Sequence, residues 1–211
     1  MDKIFLEVPT INRKEEALEY LKETLEYKSD FNGTGSMEEC LSSLTYEEWL
    51  VELEHRKDIE YLNSINRLQS KTYFCIRELD NKIIGMLNIR YNIPEDKLES
   101  WASHIGYGIR PKERNKGYAK IALYLGLLEE QKLGEEKILL ECTVDNIASN
   151  RTILALGGKL EKTKVDEYDN EMTNYYWIDV NDSIDKYSNN YRKYIADKEN
   201  IWKISKQLYV Y

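Results

Sequence analysis

Residues 104–158 read HIGYGIRPKERNKGYAKIALYLGLLEEQKLGEEKILLECTVDNIASNRTILALGG, and the order of elements in this stretch decides the fold. Alternating Ile105, Tyr107 and Ile109 predict a strand, closed by Pro111. Arg114-Asn115-Lys116-Gly117-Tyr118-Ala119 follows as a loop of charged and small residues. The spacing predicts an apolar helix over Ala119–Leu133, stopped by Gly134, and a second strand over Lys137–Val144. Gly117 lacks a Cβ, so a ligand can approach the backbone there. The first N–H groups of a helix have no internal partner, and with the helix dipole they attract anions. Arg114 and Lys116 add positive charge at the same place. The loop therefore asks for a phosphate or pyrophosphate ligand. It is neither the dinucleotide-binding G-x-G-x-x-G pattern nor the P-loop.

Arg114-x-x-Gly117-x-Ala119 resembles the [RQ]-x-x-G-x-[GA] acyl-CoA pyrophosphate loop of the GNAT acetyltransferase superfamily. Downstream, Asn146-Ile-Ala-Ser149-Asn150-Arg151 and Gly157-Gly158 resemble the second motif of that family, N-x-x-[AS] followed by a helix and glycine. The match covers His104 to Gly158, and a looser likeness runs from about Glu15 to Val180. The resemblance implies an α/β fold of GNAT type, a mixed and mostly antiparallel central sheet flanked by helices. Residues 1–180 would form the acetyltransferase domain and 181–211 a C-terminal helical extension. It further implies acetyl transfer from acetyl-CoA, a co-substrate, with no metal, to a primary amine by direct attack in a ternary complex. In the cofactor site it implies, the backbone of Arg114, Asn115, Lys116, Gly117, Tyr118 and Ala119 holds the pyrophosphate. The pantetheine arm pairs with the strand carrying Tyr107 and Ile109, as an added strand would. Asn146 meets the pantetheine amides, with Ser149 and Asn150 nearby. Helix capping explains Asn146 and Ser149 equally well, and the two roles can coexist.

Composition excludes other classes. A formal charge of −8 argues against a nucleic-acid binder. The longest apolar run, Ile121–Leu128, is far short of the ~18 residues of a membrane span. The opening MDKIFLEVPT has no apolar core of the signal-peptide kind. Cys40, Cys75 and Cys142 are an odd count without a CxxC pair, which reads as free thiols in a reducing, cytoplasmic setting.

Around the central stretch, Ile4, Leu6 and Val8 suggest an opening strand, and Asn12–Tyr27 an amphipathic helix. Asn32-Gly33-Thr34-Gly35 reads as a flexible loop. Met37–Leu44 suggests a helical turn. Thr45-Tyr-Glu-Glu48 is a capping box opening a helix that runs, continuous or broken, to Leu62. Lys71–Leu79 and Lys82–Tyr91 flank Asp80-Asn81 as a hairpin. Lys159–Asp166 and Met172–Val180 flank Asp169-Asn170 as another. Beyond residue 180, Ile184, Tyr187, Tyr191, Tyr194, Ile195, Ile201, Trp202 and Leu208 recur at near-helical spacing. Such a face completes the core of its own chain or docks on a second subunit, as in a homodimer.

The chemistry needs a base, because an alkylamine with a pKa near ~10 is protonated at neutral pH. His104, at the start of a strand facing the proposed cleft, and Glu141, on the neighbouring strand, are the candidates. A hydrogen-bonded structural histidine and a solvated carboxylate are the plainer readings. Cys142 reads as a small buried hydrophobe. Many family members carry a tyrosine seven residues after the motif asparagine, as acid for the leaving thiolate. Here that position is Ile153. From residue 30 to residue 60 there are nine Asp/Glu and two Lys/Arg, either a solvated face or a negative rim favouring a small cationic amine. Trp49 and Trp101 read as core or as substrate contacts. A non-catalytic acyl-CoA sensor, a peptide or protein N-acetyltransferase, and a free-nucleotide module are the alternatives.

Overall fold

A computed structural model describes residues 2–94, 97–98, 103–166 and 170–197. Trp101, Asp169, Ile201, Trp202 and Leu208 lie outside the described residues. The strands are β1 (Ile4–Glu7), β2 (Ser70–Arg77), β3 (Lys82–Arg90), β4 (Ile105–Ile109), β5 (Lys137–Thr143), β6 (Lys159–Val165) and β7 (Met172–Asp179). The α-helices are α1 (Lys14–Glu26), α2 (Tyr46–His55), α3 (Ile59–Ser64), α4 (Tyr118–Leu133), α5 (Ile147–Ala155) and α6 (Val180–Tyr191).

Local chemistry sets most of these bounds. Thr45 and Glu48 close a reciprocal capping box on α2. Asp58, Asn146 and Asp179 accept first-turn N–H groups of α3, α5 and α6. Asn81 (φ 54°) and Asn170 (φ 60°) supply the left-handed residues of the two hairpin turns.

The strands form two antiparallel sheets, β1-β2-β3-β4 and β5-β7-β6. Their meeting line is β4 beside β5. There, among the described residues, the strands are tied at one point: the His104 N–H donates to the Leu139 carbonyl (2.8 Å), and the Leu139 N–H donates to His104 Nδ1 (3.1 Å). Past that tie the strands diverge. Antiparallel pairing makes alternate residues bond to the neighbouring strand. Arg110 N–H donates to Ile84, and Arg90 N–H to His104 (2.8 and 2.7 Å). Even-numbered β4 residues therefore bond to β3, and the backbone of Tyr107 and Ile109 points into the gap. By the same logic the Val144–Met172 bond turns the backbone of Leu139, Glu141 and Thr143 toward the gap from the other side.

Helix α4 sits under this junction and is apolar nearly all round, because it is buried against both sheets and against α6. Tyr124 donates its hydroxyl to the Ile184 carbonyl (3.3 Å), and its ring packs on Tyr191. Val180 and Ile184 are buried, and Tyr187, Tyr191, Tyr194 and Ile195 lie against the main core. The chain then bridges back to β1, with Ala196 N–H donating to Ile4 (3.0 Å). The described part of the extension thus spends its apolar face on its own chain. A second core, around Trp49, Tyr46, Phe74 and Met86, joins α1 and α2 to the other face of the first sheet. Among the described residues no helix is long and apolar enough to cross a membrane.

Among the described residues, one buried carboxyl group stands without a hydrogen-bond partner. Glu130, on α4, is fully buried, and neither carboxylate oxygen finds a hydrogen-bond partner. Burial, helped by Glu135, pushes its pKa up to about 9. The folded chain therefore keeps this proton where the unfolded chain has lost it, so stability falls as pH rises from about 4.5 toward 9. Glu130→Gln removes that loss. Thermal unfolding should show the variant gaining on the parent chain between pH ~5.5 and ~8.5; an equal difference at both pH values counts against a buried acid.

Candidate functional site

The gap between β4 and β5 opens away from the His104–Leu139 tie, toward the N-termini of α4 and α5. Gly117 is the N-cap of α4 in the left-handed region (φ 85°), preceded by Asn115 at φ 62°. No side chain caps α4 and no acidic residue lies in its first turn. In α2, α3, α5 and α6 a Thr, Asp or Asn side chain fills that place, and α1 has Glu15 and Glu16 in its first turn. The start of α4 is thus left open to an external anion.

The flanking cations are not aimed at that point. Arg114 donates Nε to the Ile109 carbonyl and Nη1 to Ser29 (both 3.0 Å), fastening the loop to β4 and to the segment after α1. Lys116 pairs with Glu113 (2.9 Å), which also holds Arg77 (2.7 Å). Burial alone would raise the Glu113 pKa, but these two cations outweigh it and the pKa is lowered. The Tyr118 hydroxyl is engaged with Asp2 (2.9 Å), and Ala119 is half-buried. What the loop offers is backbone.

On the α5 side, Asn146 Oδ1 accepts the Ser149 N–H (3.0 Å), the capping bond. The Ser149 hydroxyl lies 2.9 Å from the Tyr107 hydroxyl, a bond that crosses from α5 to β4. Asn150 is placed differently from the expected cofactor contact. It is buried, its amide donates to the Thr143 and Asn146 carbonyls (both 2.9 Å), and its oxygen accepts from Asn174 and Tyr176 (2.8 and 2.6 Å). All of its hydrogen-bonding capacity goes to joining α5 to β5 and β7. The Ile109 side chain is likewise core.

His104 also departs from the expectation of a base in the cleft. It is buried, and its Nδ1 lone pair is taken by the Leu139 N–H. That bond leaves a hydrogen on Nε2 and no site free to receive a proton. Burial lowers its pKa. Glu141 alternates with Leu140 and Ile138, which belong to the main core, so it stands on the opposite face of β5 from α4. Its charge opposes the effect of burial, which lowers the pKa of Arg90 on β3.

That same face of β4 is covered by the segment 32–35, expected to be a flexible loop. A Cβ on Gly108 would fall 2.6 Å from the Asn32 carbonyl oxygen, and one on Gly33 2.6 Å from the Gly106 carbonyl oxygen. Only glycines let the two backbones touch, so this segment is packed against β4. Trp49 lies fully in the core and donates Nε1 to Gly35 (2.9 Å). Much of the acidic run is committed as well. Glu47 pairs with Lys14 (2.8 Å), Glu52 with Arg56 (3.3 Å) and Glu54 with Lys57, while Glu48 and Asp58 cap helices. A cavity of about 610 Å³ beside α2 and α3 gathers Glu39, Glu47, Glu48 and Glu52 with Arg56 and Arg67.

The acetyltransferase (GNAT) family matches residues 36–157, which include the loop, both strands of the gap and the start of α5. The chain belongs to the GNAT acetyltransferase family. It is therefore an acetyl-CoA-dependent acetyltransferase. No curated protein matches its sequence. Solved structures share the fold at low identity. RimL, a ribosomal L7/L12 alpha-N-protein acetyltransferase in complex with coenzyme A, is 19% identical, with 84% of this chain and 94% of that chain covered at a TM-score of 0.60. MccE, a microcin C7 self-immunity acetyltransferase with acetyl-CoA and AMP, is 19% identical over 85% and 93%, at 0.57. A spermidine N-acetyltransferase SpeG chimera from Vibrio cholerae and hSSAT is 15% identical over 86% and 98%, at 0.58.

Two measurements check this geometry. Gly117→Asp places a carboxylate at the start of α4 and forces a left-handed backbone on a residue with a Cβ. Calorimetry should show loss of coenzyme A binding in a chain that still unfolds cooperatively. His104→Ala should lower the unfolding temperature. The parent should lose stability as pH falls below ~6.5, since the unfolded histidine takes up a proton that the buried one refuses; the variant should have a flatter acid limb.

Proposed function

We propose that the protein transfers the acetyl group of acetyl-CoA to a primary amine of a small cationic molecule. The observation that carries the site is the open gap between β4 and β5, with the uncapped α4 N-terminus at its mouth. In this reading the pyrophosphate sits on the N–H groups of Gly117, Tyr118 and Ala119. The pantetheine arm lies along Tyr107 and Ile109, and Asn146 and Ser149 meet it from α5. The amine enters from the face that carries Glu141, beside the segment 32–35. Glu141 draws the ammonium proton, directly or through water. His104 closes the far end of the gap. The carboxylates of the α2–α3 cavity favour a cationic acceptor on that side of the molecule.

The pairing of Glu47, Glu52 and Glu54 with cations weakens that rim and favours a second reading, transfer to a peptide or protein amine. RimL and SpeG, both similar in fold, carry names from each class. The deciding experiment is release of coenzyme A from acetyl-CoA with spermidine and, separately, with a peptide bearing a free N-terminal amine. Turnover with spermidine alone supports the proposal, and turnover with the peptide alone replaces it by the second reading. Glu141→Gln should lower kcat by about 100-fold, in the range of a positioned base, and remove the acidic inflection of the pH–rate profile. An unchanged profile removes Glu141 from the reaction.

A further inference from the structure

The cavity beside α2 and α3 shares no residue with the gap between β4 and β5. Its lining is partly apolar: Leu44, Val51, Tyr61 and Ile65 contribute to it, and Val51 and Ile65 are exposed. Four carboxylates, Glu39, Glu47, Glu48 and Glu52, stand against two guanidiniums, Arg56 and Arg67, so the lining carries an excess of two negative charges. Exposed apolar residues continue from the cavity toward β1. Val8 and Ile11 are 58% and 50% exposed. The segment that carries them touches the start of α2, where the Tyr46 hydroxyl donates to the Thr10 carbonyl (3.0 Å) and Lys14 pairs with Glu47 (2.8 Å). A run of exposed apolar residues rimmed by charge marks a surface on which another segment packs.

The chain itself holds a complementary segment. β1 is the outer strand of its sheet, and Ile195 bridges Ile4 in parallel, with the Ala196 N–H on the Ile4 carbonyl. At Ala196 the chain is therefore headed as β1 is, from Ile4 toward Thr10 and the start of α2. Ile4 and Thr10 are at most about 20 Å apart, at ~3.4 Å per residue. The fourteen residues 198–211, outside the described part, span that distance even at the helical rise of ~1.5 Å per residue. They carry Lys198, Lys203 and Lys206 against Glu199, an excess of two positive charges. Ile201, Trp202, Ile204 and Leu208 are interleaved with them. Apolar side chains and positive charge in one segment match the apolar lining and negative charge of the cavity.

We propose that residues 198–211 follow the β1 edge and dock, within the same chain, on the α2–α3 surface. The apolar side chains cover Val51 and Ile65, and the lysines meet the carboxylates of the cavity. The same carboxylates would draw a cationic acceptor, so the segment competes with such an acceptor on that side of the molecule. The docking uses nothing of the acetyl-CoA reading, and either can fail without the other.

Zero-length carbodiimide cross-linking of the full chain, as an equal mixture of isotope-labelled and unlabelled protein, tests the contact by mass spectrometry. Amide links from Lys203 or Lys206 to Glu39, Glu47, Glu48 or Glu52 should form, each within one isotope class. Links that join the two classes overturn the proposal in favour of a second copy as the occupant. Links from these lysines to carboxylates elsewhere in the chain overturn it outright. Amide hydrogen exchange gives a reading that does not depend on lysine chemistry. Trp202→Ala should speed exchange over α2 and α3 about tenfold and leave β6 unchanged, because docking protects only the surface it covers. If no link from these lysines forms, exchange decides: faster exchange in the variant supports the docking, and unchanged exchange over α2 and α3 overturns it.

Discussion

At the seam between the two sheets, His104 ties the edge of one to the edge of the other. Its backbone N–H and its imidazole nitrogen take up both backbone groups of Leu139, so a side chain stands in for a missing strand partner. A full β4–β5 ladder would close the sheet and leave no cleft. With no tie, the gap would lack a closed end, and α4 would have to bridge two independent sheets. A single two-bond contact at one end gives a wedge whose depth is set. The imidazole serves only while neutral, which is why burial and the bond from Leu139 belong to one design.

The rest of the site follows from that wedge. Backbone groups of Tyr107 and Ile109 face it from one side and those of Glu141 and Thr143 from the other, as strict consequences of antiparallel alternation on each flank. The crossover helix between β4 and β5 must begin at the mouth, so its N-terminal N–H groups arrive there without special placement. The two faces of the wedge then differ in chemistry. On the α4 face lie the hydroxyls of Tyr107 and Ser149 and the thiol of Cys142. On the opposite face lie Glu141, Arg90 and the packed segment 32–35. In the proposed reading, a thioester entering between the lips would meet hydroxyls on one side and a carboxylate on the other.

Local features were legible in the sequence, and long-range ones were not. The capping box at Thr45, both hairpins and the loop with its helix were readable because each is set by residues within a few positions of one another. The open start of α4 was readable too, since it needs only Gly117 and the lack of a nearby acid. Commitments across long stretches of chain were hidden. Nothing near Arg114 signals that its guanidinium fastens to Ser29, 85 positions away. Gly33 and Gly108 look like ordinary flexible positions until β4 and the segment after α1 are seen in contact. His104 has the intrinsic pKa of a catalytic base, and only the position of Leu139 reveals its other task. The Tyr107–Ser149 bond, spanning 42 positions, is hidden for the same reason. A hydroxyl-bearing residue on each of two elements was visible, but their meeting was not.

In the proposed reading acetyl-CoA lies in the gap between β4 and β5 with its pyrophosphate on α4. Amide hydrogen exchange with and without saturating acetyl-CoA tests it most directly, because the groups assigned to the ligand are backbone N–H groups. Exchange should slow over residues 105–109 and 114–120, with β6 at residues 159–165 unchanged. Protection that spares β4 and the α4 start, or that appears on β6 instead, would contradict it.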